Sequence, residues 1–125
     1  MDPENYIPGV CNIGPAEIAR RKRAGWIALF ATLILWAALF FFEASWPWYL
    51  LIFLSASMAV TGFIQAYSHF CAGFGRNGLF NFGPVGKAET VEQEEFRKKD
   101  RQKAFRISAY SLIVGAIVAL VTFYL

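Results

Sequence analysis

Three long apolar runs separate short charged stretches along this chain of 125 residues. The apolar runs cover residues 25–42, 48–67 and 107–125, and none of them contains Lys or Arg. Each has about 18 to 20 residues, and a helix of that length crosses the roughly 30 Å hydrocarbon core of a bilayer. The pattern therefore predicts an all-α integral membrane protein, a single membrane domain with three transmembrane helices.

The positions of the basic residues orient these helices. All 12 Lys and Arg side chains fall within residues 20–23 or 76–106. After three crossings these two stretches share one side of the membrane, and the positive-inside rule makes that side cytoplasmic. We therefore expect a cytoplasmic N-terminal segment (1–24), an outer loop (43–47), a cytoplasmic segment (68–106) and a C-terminus outside, in a multi-pass protein of the inner (plasma) membrane.

Two further signals predict helix beyond the membrane. Pro15 suits the first helical position, so a helix is expected to open there and run into the first span. Between residues 87 and 106 acidic residues precede basic ones, which is the order that complements a helix dipole. Thr90 and Gln93 have the spacing of a capping box. We expect a helix from about Val91 that continues unbroken into the third span as a cytoplasmic extension.

Small residues recur every three or four positions along the second and third spans, so that each span has one face of small side chains. They are Ser55, Ala59, Gly62 and Ala66 in the second span, and Ser108, Ser111, Gly115 and Ala119 in the third. Such faces let helix backbones approach closely. The neighbouring helices are either each other, copies in a homo-oligomer, or helices of a larger complex, and the spacing leaves these three alternatives open.

Composition and charge indicate the partners. The chain is 57% hydrophobic and 18% aromatic, more than a soluble domain of this size usually carries. Its net charge of +3 is concentrated beside the membrane helices, where basic residues attract anionic lipid. We therefore expect membrane lipids and other membrane helices as partners, and no nucleic acid. The candidate headgroup ligands are Arg20, Arg21, Lys22, Arg23 and Arg76.

One set of soft or borderline ligands falls on the predicted cytoplasmic side. It consists of Cys11, His69 and Cys71, and Cys with His suits zinc, copper or iron. The spacing matches no established metal motif, and a buried free Cys with a hydrogen-bonded His is the ordinary alternative. A reducing cytoplasm disfavours a disulfide, while a redox-sensing thiol pair stays open. The sequence identifies no cofactor.

The glycine-rich stretch after the second span contains a G-x-G-x-x-G match from Gly73 to Gly78. It follows a membrane helix and has no βαβ unit around it, so dinucleotide binding is rejected. A glycine-rich turn beside Arg76 can still hold a phosphate or a lipid headgroup. The alternative is an interfacial loop that inserts its aromatic side chains into the membrane boundary. These side chains are Phe70, Phe74, Phe80 and Phe82.

These observations predict an accessory role more than an enzyme. The lone acidic residue between Arg23 and Glu89 is Glu43, at the outer end of the first span, so no carboxylate is expected deep in the membrane. We expect a small accessory or scaffolding protein that packs helices in a homo-oligomer or a larger inner-membrane complex. The alternatives are a metal or thiol site at Cys11, His69 and Cys71, and an anionic-lipid binder.

Overall fold

The computed structural model describes residues 6–125, and residues 1–5, the start of the predicted cytoplasmic segment, lie outside the described residues. The chain is mostly helical. Its elements are α1 (Pro15–Phe41), a short 3-10 helix (Trp46–Trp48), α2 (Tyr49–Ser68), α3 (Ala72–Asn77), β1 (Leu79–Phe80), β2 (Glu89–Thr90) and α4 (Glu94–Tyr124). In this part of the chain three helical segments, Pro15–Phe41, Trp46–Ser68 and Glu94–Tyr124, are long and apolar enough to span a membrane. The expectation of three apolar helices is confirmed.

The long helix α4 begins at Glu94, so the predicted start near Val91 and the capping box at Thr90 are wrong. Thr90 belongs to β2, which pairs antiparallel with β1, and the Val91 N–H donates to the Gly78 carbonyl (2.7 Å). These bonds hold the chain extended until Gln93, which occupies the N-cap position without a side-chain hydrogen bond. From Glu94 the helix is unbroken for 31 residues, which is about 46 Å at 1.5 Å per residue. The prediction that this helix continues without a break into the third span agrees with the structure.

Helix α2 lies between α1 and α4, and small residues set both contacts. A Cβ added to Gly62 would lie 2.8 Å from the Gly25 Cα of α1, and one added to Gly115 of α4 would lie 2.9 Å from the Phe53 carbonyl oxygen of α2. Thr32 of α1 donates a hydrogen bond to Ser55 of α2 (2.8 Å). The small-residue face of α2 therefore contacts α1, and that of α4 contacts the opposite side of α2, so both faces pack within this chain but not against each other.

The bundle has two distinct ends. At the hairpin end, where α1 and α2 are joined, Leu39, Tyr49 and Ile52 form an apolar cluster with Val118 and Ala119 of α4. At the opposite end, called the capped end below, Phe70, Ala72, Ala104 and Ile107 form a second cluster. Both basic stretches lie at the capped end, because its hydrogen bonds join Arg21 to Cys71 and Tyr6 to Asp100.

The segment after α2 is not an interfacial phenylalanine loop. Phe70 and Phe82 are buried, and Phe74 and Phe80 are half-buried, so the prediction that these rings insert into the membrane boundary is wrong for the first two. Phe70 is fully buried because it packs against Ala104 and other residues of the capped end. Phe70 packs against α3 and α4, and Phe82 lies where the chain passes Gly14, so these two rings are buried within the protein itself.

Candidate functional site

The capped end is covered by two segments, residues 6–14 and 69–93, which together are called the cap. Main-chain hydrogen bonds join them: Gly14 N–H donates to the Asn81 carbonyl (2.8 Å), and Asn81 N–H donates to the Asn12 carbonyl (2.9 Å). Asn12 N–H donates in turn to the His69 carbonyl at the end of α2 (3.1 Å). The N-terminal segment is therefore bonded to the chain that follows α2.

A buried carboxylate ties the cap to α1. Glu17 is 1% exposed, and its Oε2 accepts a hydrogen bond from Asn81 Nδ2 (2.9 Å). Its Oε1 accepts from Arg21 Nη1 one turn later, and Arg20 Nη1 lies 3.8 Å away. A buried charge is costly unless it is paired and hydrogen-bonded, and Glu17 meets both conditions. In the sequence, Glu17 is marked only as an acidic residue in the first turn of a helix, where it complements the helix dipole.

Cys71 is a structural member of the cap. Its N–H donates to Asn12 Oδ1 (2.7 Å) and its carbonyl accepts from Asn12 Nδ2 (3.2 Å). Its Sγ accepts from Arg21 Nη2 (2.9 Å) and from the Phe74 N–H (3.5 Å), so the thiol caps α3. The Arg21 guanidinium also lies over the Phe74 ring, 5.3 Å from its centroid. Arg21 thus joins α1, Cys71 and α3.

The structure does not gather Cys11, His69 and Cys71 into a ligand set. Cys11 is half-buried, its Sγ lies 3.8 Å from the Ile13 carbonyl, and burial raises the pKa of its thiol. His69 is exposed and ends α2 in the left-handed conformation (φ 56°). Each residue has different surroundings, and across residues 6–125 no three His, Cys, Asp or Glu side chains are placed to hold a metal ion.

A second buried carboxylate, which the sequence pattern did not predict, holds the N-terminal segment on α4. Asp100 is fully buried and accepts hydrogen bonds from the Tyr6 hydroxyl and from the Gly9 N–H (2.7 Å). Burial, with the hydrogen bond to Asp100, raises the pKa of Tyr6. The signal for Asp100 was its position as a lone acid within a basic run, residues 97–103.

The predicted headgroup residues take different environments. Arg20, Lys22, Arg23 and Arg76 are exposed, whereas Arg21 is largely buried in the bonds described above. The glycine-rich turn is not formed, because residues 72–77 make the helix α3 and Gly78 ends it in the left-handed conformation (φ 68°). Gly75 lies against the Phe70 ring, with no room for a side chain, so this close packing requires glycine at that position of α3.

A groove of about 500 Å³ runs between α1 and α4 at the capped end, and α2 forms its floor. Arg21 and Ala24 come from α1, Arg76 and Ala72 from α3, and Arg76 Nη1 donates to Ser108 Oγ of α4 (2.8 Å). The remaining lining residues are Leu54, Ser57, Met58, Thr61, Gly62, Gln65, Ser111 and Leu112. The groove therefore has guanidinium groups at one end and mainly apolar side chains along its length.

Two hydroxyl groups in this groove are unusual. Ser57 and Ser111 are buried, and within the described residues neither Oγ has a hydrogen-bond partner. A buried hydroxyl without a partner is costly, so such atoms call for an explanation. Ser111 belongs to the small-residue face predicted for the third span, as does Ser108, so this face serves the groove as well as helix packing.

Comparison with protein-family models, with curated proteins and with solved structures finds no match to this chain. Its function is therefore inferred from the chemistry and packing of the residues described above.

Proposed function

We propose that this chain is a small non-enzymatic accessory or scaffolding membrane protein that packs against other helices in a homo-oligomer or a larger membrane complex. The observation that carries this proposal is the use of the buried polar groups of the cap. Glu17, Asp100, Asn12, Asn81 and Cys71 all hydrogen-bond to the same chain and fix the cap on the helices. Because these buried groups hydrogen-bond within the chain, they hold the cap and the helices in one arrangement, which offers partners a rigid surface.

The proposed surface for a partner helix is the outer face of α1. Both small-residue faces already contact helices of this chain, so association uses side chains that point away from α2. Exposed residues with the alternating three and four spacing of packed helices run along α1: Ile27, Phe30, Ile34, Ala37 and Phe41. This spacing keeps one face of a helix in contact with a neighbour over several turns. Exposed residues of α4 from Tyr110 to Tyr124 have the same spacing, and of these two faces we propose that of α1 as the partner contact.

The orientation belongs to the same proposal. Both basic stretches lie at the capped end, which supports a cytoplasmic position for the cap under the positive-inside rule. The N-terminus then faces the cytoplasm, the C-terminus lies outside, and the location is the inner (plasma) membrane. Exposed Trp48 and Tyr67 lie near opposite ends of the second span, about 28 Å apart along a helix, as expected for interfacial aromatic residues.

The orientation is tested by labelling single cysteines in intact cells with a membrane-impermeant maleimide. Ser45→Cys lies in the loop between α1 and α2 and Lys87→Cys lies in the cap, and both positions are exposed. In a Cys11→Ser, Cys71→Ser background, Ser45→Cys should react in intact cells, while Lys87→Cys should react only after lysis. The reverse labelling pattern would contradict the proposed orientation.

The accessory role is tested by native mass spectrometry of the protein extracted gently from its own membranes. We expect a defined assembly, with copies of this chain or with other subunits. Ile27→Ala with Ile34→Ala should reduce that assembly several-fold. Ile113→Ala with Ile117→Ala makes the matched change on the exposed face of α4, and this pair should leave the assembly intact because the proposed contact is α1. Loss of the assembly with this pair alone would place the contact on α4. A strictly monomeric wild-type protein with no co-purifying partner would contradict the accessory role.

A further inference from the structure

We propose that the groove between α1 and α4 binds one anionic phospholipid, with its headgroup at Arg21 and Arg76 and an acyl chain along α2. This goes beyond the accessory role, because it assigns a ligand to a site within the single chain. The groove's volume of about 500 Å³ lies within the range of about 300 to 1,000 Å³ typical of small-molecule sites.

The length of the groove matches one leaflet of a bilayer. Along α2 its lining runs from Leu54 to Gln65, which corresponds to about 16 Å of helix. Half of a hydrocarbon core of roughly 30 Å is about 15 Å. The guanidinium groups lie beside Gln65, near the end of α2, and Leu54 and Met58 lie toward its middle. A lipid that enters from the side therefore meets charge at headgroup depth and apolar side chains at acyl depth.

The charges at the mouth favour an anion. Arg76 is exposed and uses one N–H to bond Ser108, and a guanidinium has five such donors. Arg21 is paired with Glu17, but Arg20 also lies near that carboxylate, so this cluster of two arginines and one glutamate carries net positive charge. Guanidinium forks match the oxygen geometry of phosphate. A phosphodiester headgroup therefore fits this end of the groove.

Within residues 6–125, two hydroxyls along the groove, those of Ser57 and Ser111, lack a partner, and Ser111 provides an observation independent of charge. They are more than nine-tenths buried, they line the groove, and no described residue accepts or donates a hydrogen bond at either Oγ. The ester oxygens of a phospholipid lie just below the headgroup and accept hydrogen bonds. Ser111 lies one helical turn below Ser108, the partner of Arg76, so the ester oxygens of a bound lipid give its hydroxyl an acceptor. Ser57 lies deeper along the groove, where its hydroxyl faces Gly115 of α4, and it is not at ester depth.

The proposal is tested by titrating the purified full chain, in uncharged detergent, with dioleoyl phosphatidylglycerol and reading bound lipid by native mass spectrometry. We expect one lipid per chain with a dissociation constant at least tenfold lower than for phosphatidylcholine of the same chains. Arg76→Gln should raise the dissociation constant about tenfold, because a charge-assisted hydrogen bond is lost. The control Arg23→Gln removes an exposed charge two residues from Arg21, outside the groove, and should change it less than twofold.

A steric pair makes the test independent of charge. Ala24→Trp fills the groove and should abolish the bound lipid, whereas Ala31→Trp, at an exposed position of α1 outside the groove, should not. Equal weakening by Arg76→Gln and Arg23→Gln would overturn the proposal in favour of diffuse surface attraction. Lipid binding that survives Ala24→Trp, or glycerol phosphate that binds as tightly as the lipid, would contradict the proposal that the acyl chain lies in the groove along α2.

Discussion

The capped end and the hairpin end of the bundle are held together by different kinds of interaction. At the hairpin end Leu39 and Ile52 pack with Tyr49, whose ring lies 5.3 Å from that of Phe123. At the capped end the buried carboxylates Glu17 and Asp100 hold separate chain segments through directional hydrogen bonds. Apolar packing tolerates substitutions that conserve volume, whereas a buried charge is destabilising when its partner is removed.

This difference explains where the proposed lipid site lies. Directional bonds around Arg21 fix α1, α3 and the end of α2 relative to one another, and the groove opens beside them. At the capped end, buried polar groups fix the relative positions of the chain segments through hydrogen bonds. At the hairpin end, apolar contacts close the bundle. Substitutions at the two ends should therefore have unequal effects, which the following comparisons measure in order of expected size.

The largest effect is expected from Glu17→Gln. It removes the charge that faces Arg21 in a buried site, and we expect the free energy of unfolding to fall by about 3 kcal/mol. Ile52→Val at the hairpin end deletes one buried methylene and should cost about 1 kcal/mol. Denaturant unfolding in mixed micelles, followed by tryptophan fluorescence, measures both. A larger loss for Ile52→Val would contradict the contrast between the two ends.

Gly62→Ala should come next, because the added methyl would lie 2.8 Å from the Gly25 backbone and 2.9 Å from the Arg21 carbonyl. Overpacking against backbone that cannot move aside costs about 2 kcal/mol. The control is Gly73→Ala in α3, where the nearest atom would be Cys71 Sγ at 3.7 Å. Thermal unfolding should show the control unchanged or stabilised by up to about 1 kcal/mol. Equal destabilisation by both variants would refute the close α1–α2 contact.

A smaller, pH-dependent effect is expected from Tyr6→Phe, which removes the hydrogen bond to Asp100. The pKa of Tyr6 is raised in the folded state, so its contribution to stability is fully present below about pH 10, the pKa of an unfolded tyrosine, and is lost as the pH rises further. Wild type should lose more stability than Tyr6→Phe between pH 9 and 11. Parallel pH profiles of unfolding would show that Tyr6 does not hold the N-terminal segment.

The smallest effect on folding is expected from Ser111→Ala. Since no described residue bonds to Ser111 Oγ, its removal in lipid-free detergent should leave the free energy of unfolding unchanged or raise it by about 1 kcal/mol. Retention of phosphatidylglycerol should nevertheless fall, because the proposed hydrogen bond from the Ser111 hydroxyl to the lipid ester is lost. A large loss of stability without lipid would reveal a structural partner for Ser111 and remove one support for the lipid site.

Much of the fold follows from the hydrophobic pattern. Length and polarity alone predict three apolar helices, and Pro15 marks the start of α1 correctly because the first helical position favours proline. The start of α4 could not be predicted in this way. Thr90 and Gln93 offered a local capping box, but the pairing of Thr90 with Leu79, eleven residues earlier, prevailed. A non-local hydrogen bond is invisible to a local spacing rule.

The candidate site was less predictable than the fold. Arg21 and Arg76 were marked by charge, but Asn12, Asn81 and Asp100 matter through partners that are far away in the sequence. The Cys and His residues were candidate metal ligands because of their residue type, but Cys71 caps a helix and His69 is exposed. Residue type narrows the candidates, while the buried contacts of each side chain decide which of them form a site.

Hydrogen exchange in lipid nanodiscs would compare the two ends directly. The protein is placed in nanodiscs of phosphatidylcholine alone or with phosphatidylglycerol, and amide protection is followed at residues 69–80 of the cap and 43–50 of the hairpin end. Anionic lipid should slow exchange at residues 69–80 and leave residues 43–50 unchanged, and Ala24→Trp should abolish the difference. Equal changes at both ends, or none at the cap, would contradict a lipid site built into the capped end.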